Sequence, residues 1–214
     1  MVFSRLKRGY KNISRLRQII SILLKYGFDY LVKQLGLMKL VSKGEKILKL
    51  HPSEIARLSL PERVRLTLEE LGPTFIKLGQ ILSTRYDLIP PEYIEELEKL
   101  QDRVPPFAYT KVEQMIKKEL GSELSEIFQS FEKKPFAAAS LGQVHQAILK
   151  EENTKVVVKV QRPEIENTIE TDLDILFHLV RLTERHVPAS RQYDPAGIAE
   201  EFAKTIRIEL DYGA

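Results

Sequence analysis

The chain has 214 residues, of which 43% are hydrophobic and 29% are charged, and it contains no cysteine. This composition is typical of a folded globular protein with one or two domains. The lack of cysteine excludes disulfides and thiolate metal sites. No apolar run reaches the roughly 20 residues of a membrane-spanning helix. No signal-peptide pattern is present either, which predicts a cytoplasmic location.

The net charge of +3 is distributed very unevenly along the chain. Residues 1–50 carry 12 Lys or Arg and 2 acidic residues, whereas residues 51–214 carry 21 basic and 28 acidic residues. A basic N-terminal region on an acidic remainder predicts an anionic partner. We expect a membrane surface rather than nucleic acid, because no nucleic-acid-binding motif accompanies the charge.

An apolar stripe at helical spacing runs through this basic region. It predicts a helix over residues 13–31 and consists of Ile13, Leu16, Ile20, Leu23, Leu24, Phe28 and Leu31. One interpretation is that residues 1–31 bind an anionic bilayer peripherally, with the stripe facing the lipid and the bases at the headgroups. The other interpretation is that the stripe packs on the rest of the protein.

Residues 51–128 predict a helical region that Gly and Pro residues divide into segments. Ser59 and Glu62 have the spacing of a capping box, and Thr110 and Glu113 repeat it. In the segment "PTFIKLGQILSTRYD", Lys77 and Gln80 fall on one helical face among apolar residues. Such side chains need either partners or solvent, so Lys77 is a surface lysine or part of a site.

From about Gln129 the pattern changes to short segments rich in β-branched and aromatic residues. The segments "FQSFEKKPFAAAS", "GQVHQAILK" and "TKVVVKVQ" predict strands, and residues 151–153 predict a hairpin turn. Alternation in the last strand places Val156, Val158 and Val160 on one face and Lys159 on the other. A strand lysine one hairpin after a loop of very small residues is typical of a kinase N-lobe, where it contacts nucleotide phosphates. The alternative is an edge-strand lysine that reaches water.

Two helices are predicted after the strands, one over residues 164–184 and one that begins at Asp194–Pro195. Glu209 falls on the apolar face of the second helix, where a carboxylate needs a cation. Lys159 is the natural candidate for that cation, although a glutamate in a last turn can also reach solvent. Asp211 lies about 200° further round the helix and faces elsewhere.

Four of these segments together resemble the UbiB/AarF family of atypical kinase-like proteins, which is linked to ubiquinone biosynthesis and to quinone or lipid metabolism. The segments are "FIKLGQILSTRYDLIPPEYIEELEKLQDRVPP", "PFAAASLGQVHQA", "VVVKVQRP" and "ELDY". They occur in the family's order, and the resemblance covers roughly residues 20–214. The implied fold is α+β: a helical extension, then a kinase-like N-lobe with a small antiparallel sheet and an equivalent of helix C. The expected regions are 1–50, 51–128 and 129–214.

The resemblance also implies roles for particular residues. The KxGQ motif matches Lys77, Gly79 and Gln80, the ExD motif matches Glu209 and Asp211, and Lys159 matches the nucleotide-binding lysine. Lys159, Glu209 and Lys77 are the implied catalytic residues, with Gln80 and Asp211 supporting them. The implied nucleotide-binding set adds the alanine-rich loop that replaces the kinase glycine-rich loop, namely Ala137, Ala138, Ala139, Ser140 and Gly142. The implied cofactor is ATP or ADP with Mg²⁺.

The chain departs from the family pattern because nothing after Ala214 supplies the C-lobe motifs of a kinase. Those motifs hold the metal, so no metal ligand is expected in this chain, and the chain alone is expected to be inactive. Two functions therefore stay open: part of an ATP-dependent enzyme that acts on an isoprenoid or quinone-related lipid, or a non-catalytic membrane- or partner-binding module.

Overall fold

The computed structural model describes the backbone of residues 2–41, 52–100 and 105–211, and side chains within those ranges from residue 12 on, except residues 52 and 53. In chain order its elements are α1 (Val2–Lys25), α2 (Asp29–Gln34), α3 (Pro52–Ile55), α4 (Leu60–Leu71), α5 (Pro73–Leu82), α6 (Pro91–Leu97), α7 (Tyr109–Leu120), α8 (Leu124–Ile127), β1 (Phe128–Phe131), β2 (Ala137–Ala138), β3 (Gly142–Leu149), β4 (Lys155–Gln161), α9 (Ile165–His186) and α10 (Pro195–Leu210). Two 3₁₀ turns, Leu37–Leu40 and Pro188–Tyr193, lie between helices.

These elements form two compact units. Residues 1–101 and 167–214 form one, which we call the helical unit, and residues 102–166 form the other, which we call the sheet unit. The α+β class that the sequence predicts is confirmed, with helices ahead of a small antiparallel sheet. The three regions expected from the sequence, with boundaries at residues 50 and 128, stay a prediction.

The first helix ends earlier than the apolar stripe predicts. Instead of one helix to Leu31, α1 ends at Lys25 and α2 begins at Asp29. Gly27 has a φ of 76°, and the amides of Gly27 and Phe28 donate to the carbonyls of Leu24 and Leu23. This is a Schellman motif, which stops the helix at a residue that adopts the left-handed conformation without steric cost.

Most of the apolar stripe packs inside the helical unit: Ile20 and Leu24 are buried, and the other members are partly buried except Ile13, which is 48% exposed. Ile19 and Ile22 pack with Leu71, Phe75 and Ile175, which bring α4, α5 and α9 onto α1. A second cluster joins Ile20 and Leu24 to α2 and the 3₁₀ turn after it through Val32, Leu35 and Leu37. Of the two interpretations of the stripe, packing on the rest of the protein is therefore the one confirmed for these residues. In the described parts of the chain, we find no helix whose length and hydropathy suit a bilayer crossing.

Two bases of the N-terminal region make ion pairs within the helical unit. Arg15 forms a two-pronged ion pair with Asp172 of α9, with N–O distances of 2.7 and 3.1 Å, and it also donates to the carbonyl of Leu71. Lys25 pairs with Glu70 at 2.5 Å, and the Tyr26 hydroxyl donates to the same carboxylate. Burial and the bond to Glu70 raise the pKa of the Tyr26 hydroxyl. Arg15 and Lys25 therefore help to hold α1 against α9 and α4.

The sheet unit consists of four antiparallel strands with α7 against one face. β3 is central: β1 and β2 pair with its two ends on one side, and β4 pairs along the other side. Val112 and Ile116 of α7 pack on Phe128, Ala147 and Val160. The strand over residues 155–161 and the predicted turn at residues 151–153 are confirmed, with Asn153 at a φ of 49°.

Three predictions of helix N-caps can be compared with the structure, and two of them are confirmed. The Ser59–Glu62 capping box forms in both directions, and the Asp194 side chain accepts from the Gly197 amide at the start of α10. The capping box predicted at Thr110 is wrong, because the N-cap of α7 is Ala108, two residues earlier, and Thr110 already lies inside the helix. The residue before this N-cap, Phe107, is hydrogen-bonded through its backbone to Gln143 of β3, which holds the chain where it enters the helix.

Candidate functional site

The sheet unit carries Lys159 on the face opposite α7. In β4 the residues alternate as predicted: Val160 is buried in the α7 cluster, while Lys159 is exposed. The register pairs Lys159 with Val144 of β3, so these two side chains lie on the same face of the sheet. The alternation therefore puts a cation on the accessible face, directly across from the strand that follows the small-residue loop.

The alanine-rich loop is a tight connection between β2 and β3. Ala137 and Ala138 are themselves strand residues, paired with Val144 and Gln143. The Ala139 amide donates to the Gly142 carbonyl at 2.8 Å, which closes the turn. Ser140 is 1% exposed, so its side chain points into the protein. Of the predicted loop residues, Ala137 is the exposed one.

Sequence reasoning missed three apolar side chains near this loop. Val157 is two residues before Lys159 on the same strand face and is 68% exposed, and Val144 lies half-buried on that face. Phe136, immediately before the loop, is 73% exposed. Large exposed apolar side chains beside a cation are a recognisable signal for a ligand surface. The alternation in β4 already placed Val157 next to Lys159, so the sequence contained part of this signal.

In the helical unit, the structure brings Lys77 and Glu209 together. The Lys77 Nζ lies 3.0 Å from a Glu209 carboxylate oxygen, and the Lys77 side chain is 15% exposed. The prediction that Glu209 pairs with Lys77 or Lys159 is therefore confirmed for Lys77. The interpretation of Lys77 as a surface lysine is wrong, since the ion pair joins α5 to α10 and leaves little of the side chain in solvent.

The other two KxGQ residues hold α5 against its helical neighbours. A Cβ at Gly79 would lie 2.2 Å from Leu100 Cδ1 and 2.9 Å from Leu68 Cδ1, so any larger residue at this position would require these leucine side chains to move. Gln80 donates from Nε2 to the Leu100 carbonyl at 3.2 Å. The motif thus contributes to two contacts of α5: Lys77 binds α10, while Gly79 and Gln80 contact the chain that follows α6.

Asp211 lies in a different place from Glu209, as the helical spacing predicts. It ends α10 and lines an open groove of about 490 Å³ between α9 and α10, with Phe177, Ala203 and Ile208 as the apolar wall and Glu200, Lys204 and Arg207 as the charged part. Arg207 also makes a bidentate pair with Glu170 of α9. That hydrogen bonding to Glu170 raises the pKa of Arg207. Within the described residues no group of three or more His, Asp or Glu could hold a metal ion.

Comparison with known proteins identifies the type of domain. The ABC1 atypical kinase-like domain matches residues 99–214, which include the loop, Lys159 and Glu209. A protein of Aliivibrio fischeri named "Probable protein kinase UbiB" is 40% identical over 199 residues, and its namesake in Aeromonas hydrophila is 45% identical over 204 residues. These alignments cover 93% and 94% of this chain, but 37% of each relative.

A solved structure from Mycobacterium tuberculosis, described as a complex of Rv3197 with erythromycin, is 34% identical with a TM-score of 0.44. It covers 68% of this chain, and the match spans 36% of that chain. The chain thus spans little more than a third of the length of its curated relatives. Its domain match extends over more than half of its own residues, and the chain belongs to the ABC1 atypical kinase-like family, with curated relatives named UbiB.

Proposed function

We propose that the sheet unit binds ATP or ADP on the face that carries Lys159. The observation that supports this most is the combination of the exposed Lys159 with Val144 and Val157 on one strand pair, next to the tight loop. A nucleotide has an anionic end and a flat apolar end, so a surface that offers both a cation and apolar side chains is complementary to it. The proposed contacts follow from this match.

In this proposal Lys159 binds the phosphates nearest the sugar, and the backbone amides around Ala137–Gly142 bind them from the loop side. Val144, Val157 and Phe136 provide the apolar surface for the purine ring. An alanine turn has less backbone freedom than a glycine turn, so we expect it to present a fixed set of amides to the phosphates. ATP chemistry also uses Mg²⁺, for which the described residues offer no ligand set.

For the helical unit we propose that the Lys77–Glu209 pair is a functional element of the whole protein. The pair holds the Glu209 carboxylate next to α5. By resemblance, Glu209 matches the glutamate that orients the phosphate-binding lysine in ordinary kinases. We infer that Gln80 and Asp211 support this arrangement. The reaction we propose for the whole protein is ATP hydrolysis or phosphoryl transfer directed at an isoprenoid or quinone-related lipid, which the resemblance to the UbiB/AarF family implies.

The test is an ATP and ADP titration, with phosphate release measured in the presence of Mg²⁺. Lys159→Ala should weaken nucleotide binding by about tenfold or more, because a charge-assisted bond to phosphate is lost. Lys155→Ala is the matched control, since Lys155 lies on the same strand and the same face of the sheet. It should leave binding unchanged.

We expect the 214-residue chain to bind nucleotide weakly and to release no phosphate above the Lys159→Ala background. The residues that close a kinase cleft from below and hold its metal belong to a C-lobe, and the curated relatives have far more chain than this match covers. Equal binding by the Lys159→Ala and Lys155→Ala variants would refute the proposed site. Lysine-dependent turnover by this chain would show that no further lobe is needed.

We also propose a second function, peripheral binding to anionic membranes through the N-terminal region. Because most of the stripe packs inside the protein, the proposed contact is the exposed surface of α2 and the following 3₁₀ turn, where Tyr30 is 78% and Met38 45% exposed beside Lys33 and Lys39. An aromatic and a flexible apolar side chain flanked by lysines suit a headgroup interface. The bases at residues 5–11 are additional candidates, but their side chains lie outside the described residues.

Liposome co-sedimentation tests this second function. The triple variant Tyr30→Ser, Lys33→Ser, Lys39→Ser should lose most binding to anionic vesicles, and binding by the unmodified chain should fall with salt. The matched control is Tyr193→Ser, Lys111→Ser, Lys134→Ser, which removes the same residue types from other exposed positions. Deletion of residues 1–31 is not a useful variant, because it removes the core residues of α1. Equal sedimentation of both triple variants would contradict the proposal.

A further inference from the structure

The phosphate-binding loop proposed above is tied to the segment Pro105–Phe107, which precedes α7. Gln143, the second residue of β3, follows the loop directly and is 1% exposed. Its side-chain amide bonds the backbone of Phe107 in both directions: the Phe107 amide donates to Oε1 at 2.9 Å, and Nε2 donates to the Phe107 carbonyl at 3.4 Å. The Gln143 side chain thus makes the two hydrogen bonds to Phe107 that the backbone of a neighbouring strand would make.

The orientation of this amide is fixed by His145, which is fully buried two residues further along β3. Its Nδ1 lies 2.7 Å from the Glu132 carbonyl, which only accepts, so this nitrogen carries the ring proton. The other ring nitrogen, Nε2, therefore accepts from the Gln143 amide nitrogen at 2.9 Å. Since the NH₂ group must face His145, Oε1 must face the Phe107 amide. The His145 ring itself packs against the rings of Phe131 and Tyr109.

A second set of contacts holds the same segment from the end of β4. The Arg162 amide donates to the Leu141 carbonyl in the loop at 2.8 Å, and its side chain donates to the Pro105 carbonyl at 3.1 Å. The guanidinium lies over the Phe107 ring, 5.4 Å from its centroid. Burial lowers the pKa of Arg162, and its Nε is buried without a hydrogen-bond partner among the described residues. A cation kept there at such a cost indicates that its position matters.

We propose that Gln143, oriented by His145, is a positioning residue that holds the phosphate-binding loop in its binding conformation by anchoring it to Phe107. This inference rests on the proposed nucleotide site. Gln143 and His145 lie on the face of β3 that packs toward α7, whereas Val144 between them lies on the nucleotide face. Gln143 therefore acts on the ligand only through the loop backbone. A loop that already has its binding conformation need not be ordered when the nucleotide binds. Loss of the Gln143–Phe107 hydrogen bonds should therefore weaken nucleotide binding.

The experiment uses the 214-residue chain and two NMR readouts: amide hydrogen exchange without nucleotide, and chemical-shift titration with ATP. Gln143→Met has a side chain of the same length without hydrogen bonds. We expect faster exchange of the Phe107 amide and of the amides at residues 139–142, and a dissociation constant for ATP raised about fivefold if the binding-competent fraction falls to about one fifth. Gln129→Met is the matched control, because Gln129 is an exposed glutamine of β1 in the same sheet.

His145→Phe is the second variant, and it keeps the inference testable if Gln143→Met does not fold. The phenyl ring suits the aromatic pocket but cannot accept from Gln143, so we expect the same changes at smaller size. Unchanged exchange at residues 139–142 in both variants would overturn the anchor. Faster exchange with unchanged ATP affinity would overturn the positioning role. Failure of the nucleotide site itself is distinguishable, since the unmodified chain would then bind ATP no better than Lys159→Ala.

Discussion

The two units of the molecule hold their key residues in place by different means. In the helical unit, ion pairs join distant elements in addition to apolar packing, as Arg15 does with Asp172 and Lys77 with Glu209. In the sheet unit, the corresponding positions are held by backbone ladders and by the uncharged Gln143–His145 network. Ion pairs therefore contribute more to the placement of key residues in the helical unit, and neutral hydrogen bonds contribute more in the sheet unit.

The difference has a physical basis in the elements themselves. A helix satisfies its own backbone, so contacts between helices are left to side chains, and charged side chains reach furthest. A sheet offers backbone groups to its neighbours, and β3 bonds three strands in this way. Because ion pairs respond to salt and pH whereas neutral hydrogen bonds do so only weakly, the two units should respond differently to both conditions.

The largest expected effect is at the Arg15–Asp172 pair. Arg15→Leu should lower the free energy of unfolding by about 3–5 kcal/mol, because it leaves the carboxylate of Asp172 buried without a cation. Arg17→Leu is the matched control, since Arg17 is exposed on the same helix. Urea denaturation followed by circular dichroism measures both.

The double variant Arg15→Leu, Asp172→Leu separates the cost of an unpaired charge from the value of the pair. Replacing both partners by apolar residues removes the buried charge, so most of the lost stability should return. If the double variant is as unstable as Arg15→Leu alone, the hydrogen bond from Arg15 to the Leu71 carbonyl, and not the ion pair, holds α1 in place.

A smaller effect is expected at the Lys77–Glu209 pair, where the glutamate side chain is 37% exposed. A double-mutant cycle with Lys77→Met and Glu209→Gln should give a coupling energy of about 1 kcal/mol that falls with added salt. Arg85 and Glu201 form the comparison pair, because Glu201 also lies on α10 but its side chain is 65% exposed. Their coupling should be smaller. Equal couplings for both pairs would mean that the partial burial of Lys77 contributes nothing.

The sequence predicted the features that depend on local patterns, and it did not predict those that depend on contacts between distant residues. The strands, the β3–β4 turn and the face of Lys159 follow from residue alternation and turn residues, which are local signals. The roles of Gly79 and Gln143 could not be predicted, because each depends on contact with a residue 20 or more positions away. A long-range contact also holds the chain where it enters α7, since the backbone of Phe107 is hydrogen-bonded to Gln143 and Thr110 lies inside the helix.

The smallest expected effect concerns two stretches that look alike in sequence, Ser59–Glu62 and Thr110–Glu113. In the first, the Ser59 amide donates to the Glu62 carboxylate at 2.7 Å, and this bond and the one to the Ser59 side chain lower the pKa of Glu62. In the second, no capping bond forms at the start of α7. One motif thus couples helix stability to protonation, and the other should not.

The sign of the pH effect follows from the lowered pKa of Glu62. The ionised carboxylate is the form that folding favours, so its contribution is complete above the pKa of the unfolded chain and disappears as the pH falls through the lower folded pKa. Glu62→Gln should therefore be slightly less stable than the unmodified chain near pH 7, with the difference closing as the pH falls through the acidic range in which glutamate titrates. Glu113→Gln should show no such convergence when the two variants are compared by urea denaturation across this range. If the stability differences of both variants close in parallel as the pH falls, the pH effect arises from the overall charge of the protein and not from the capping box.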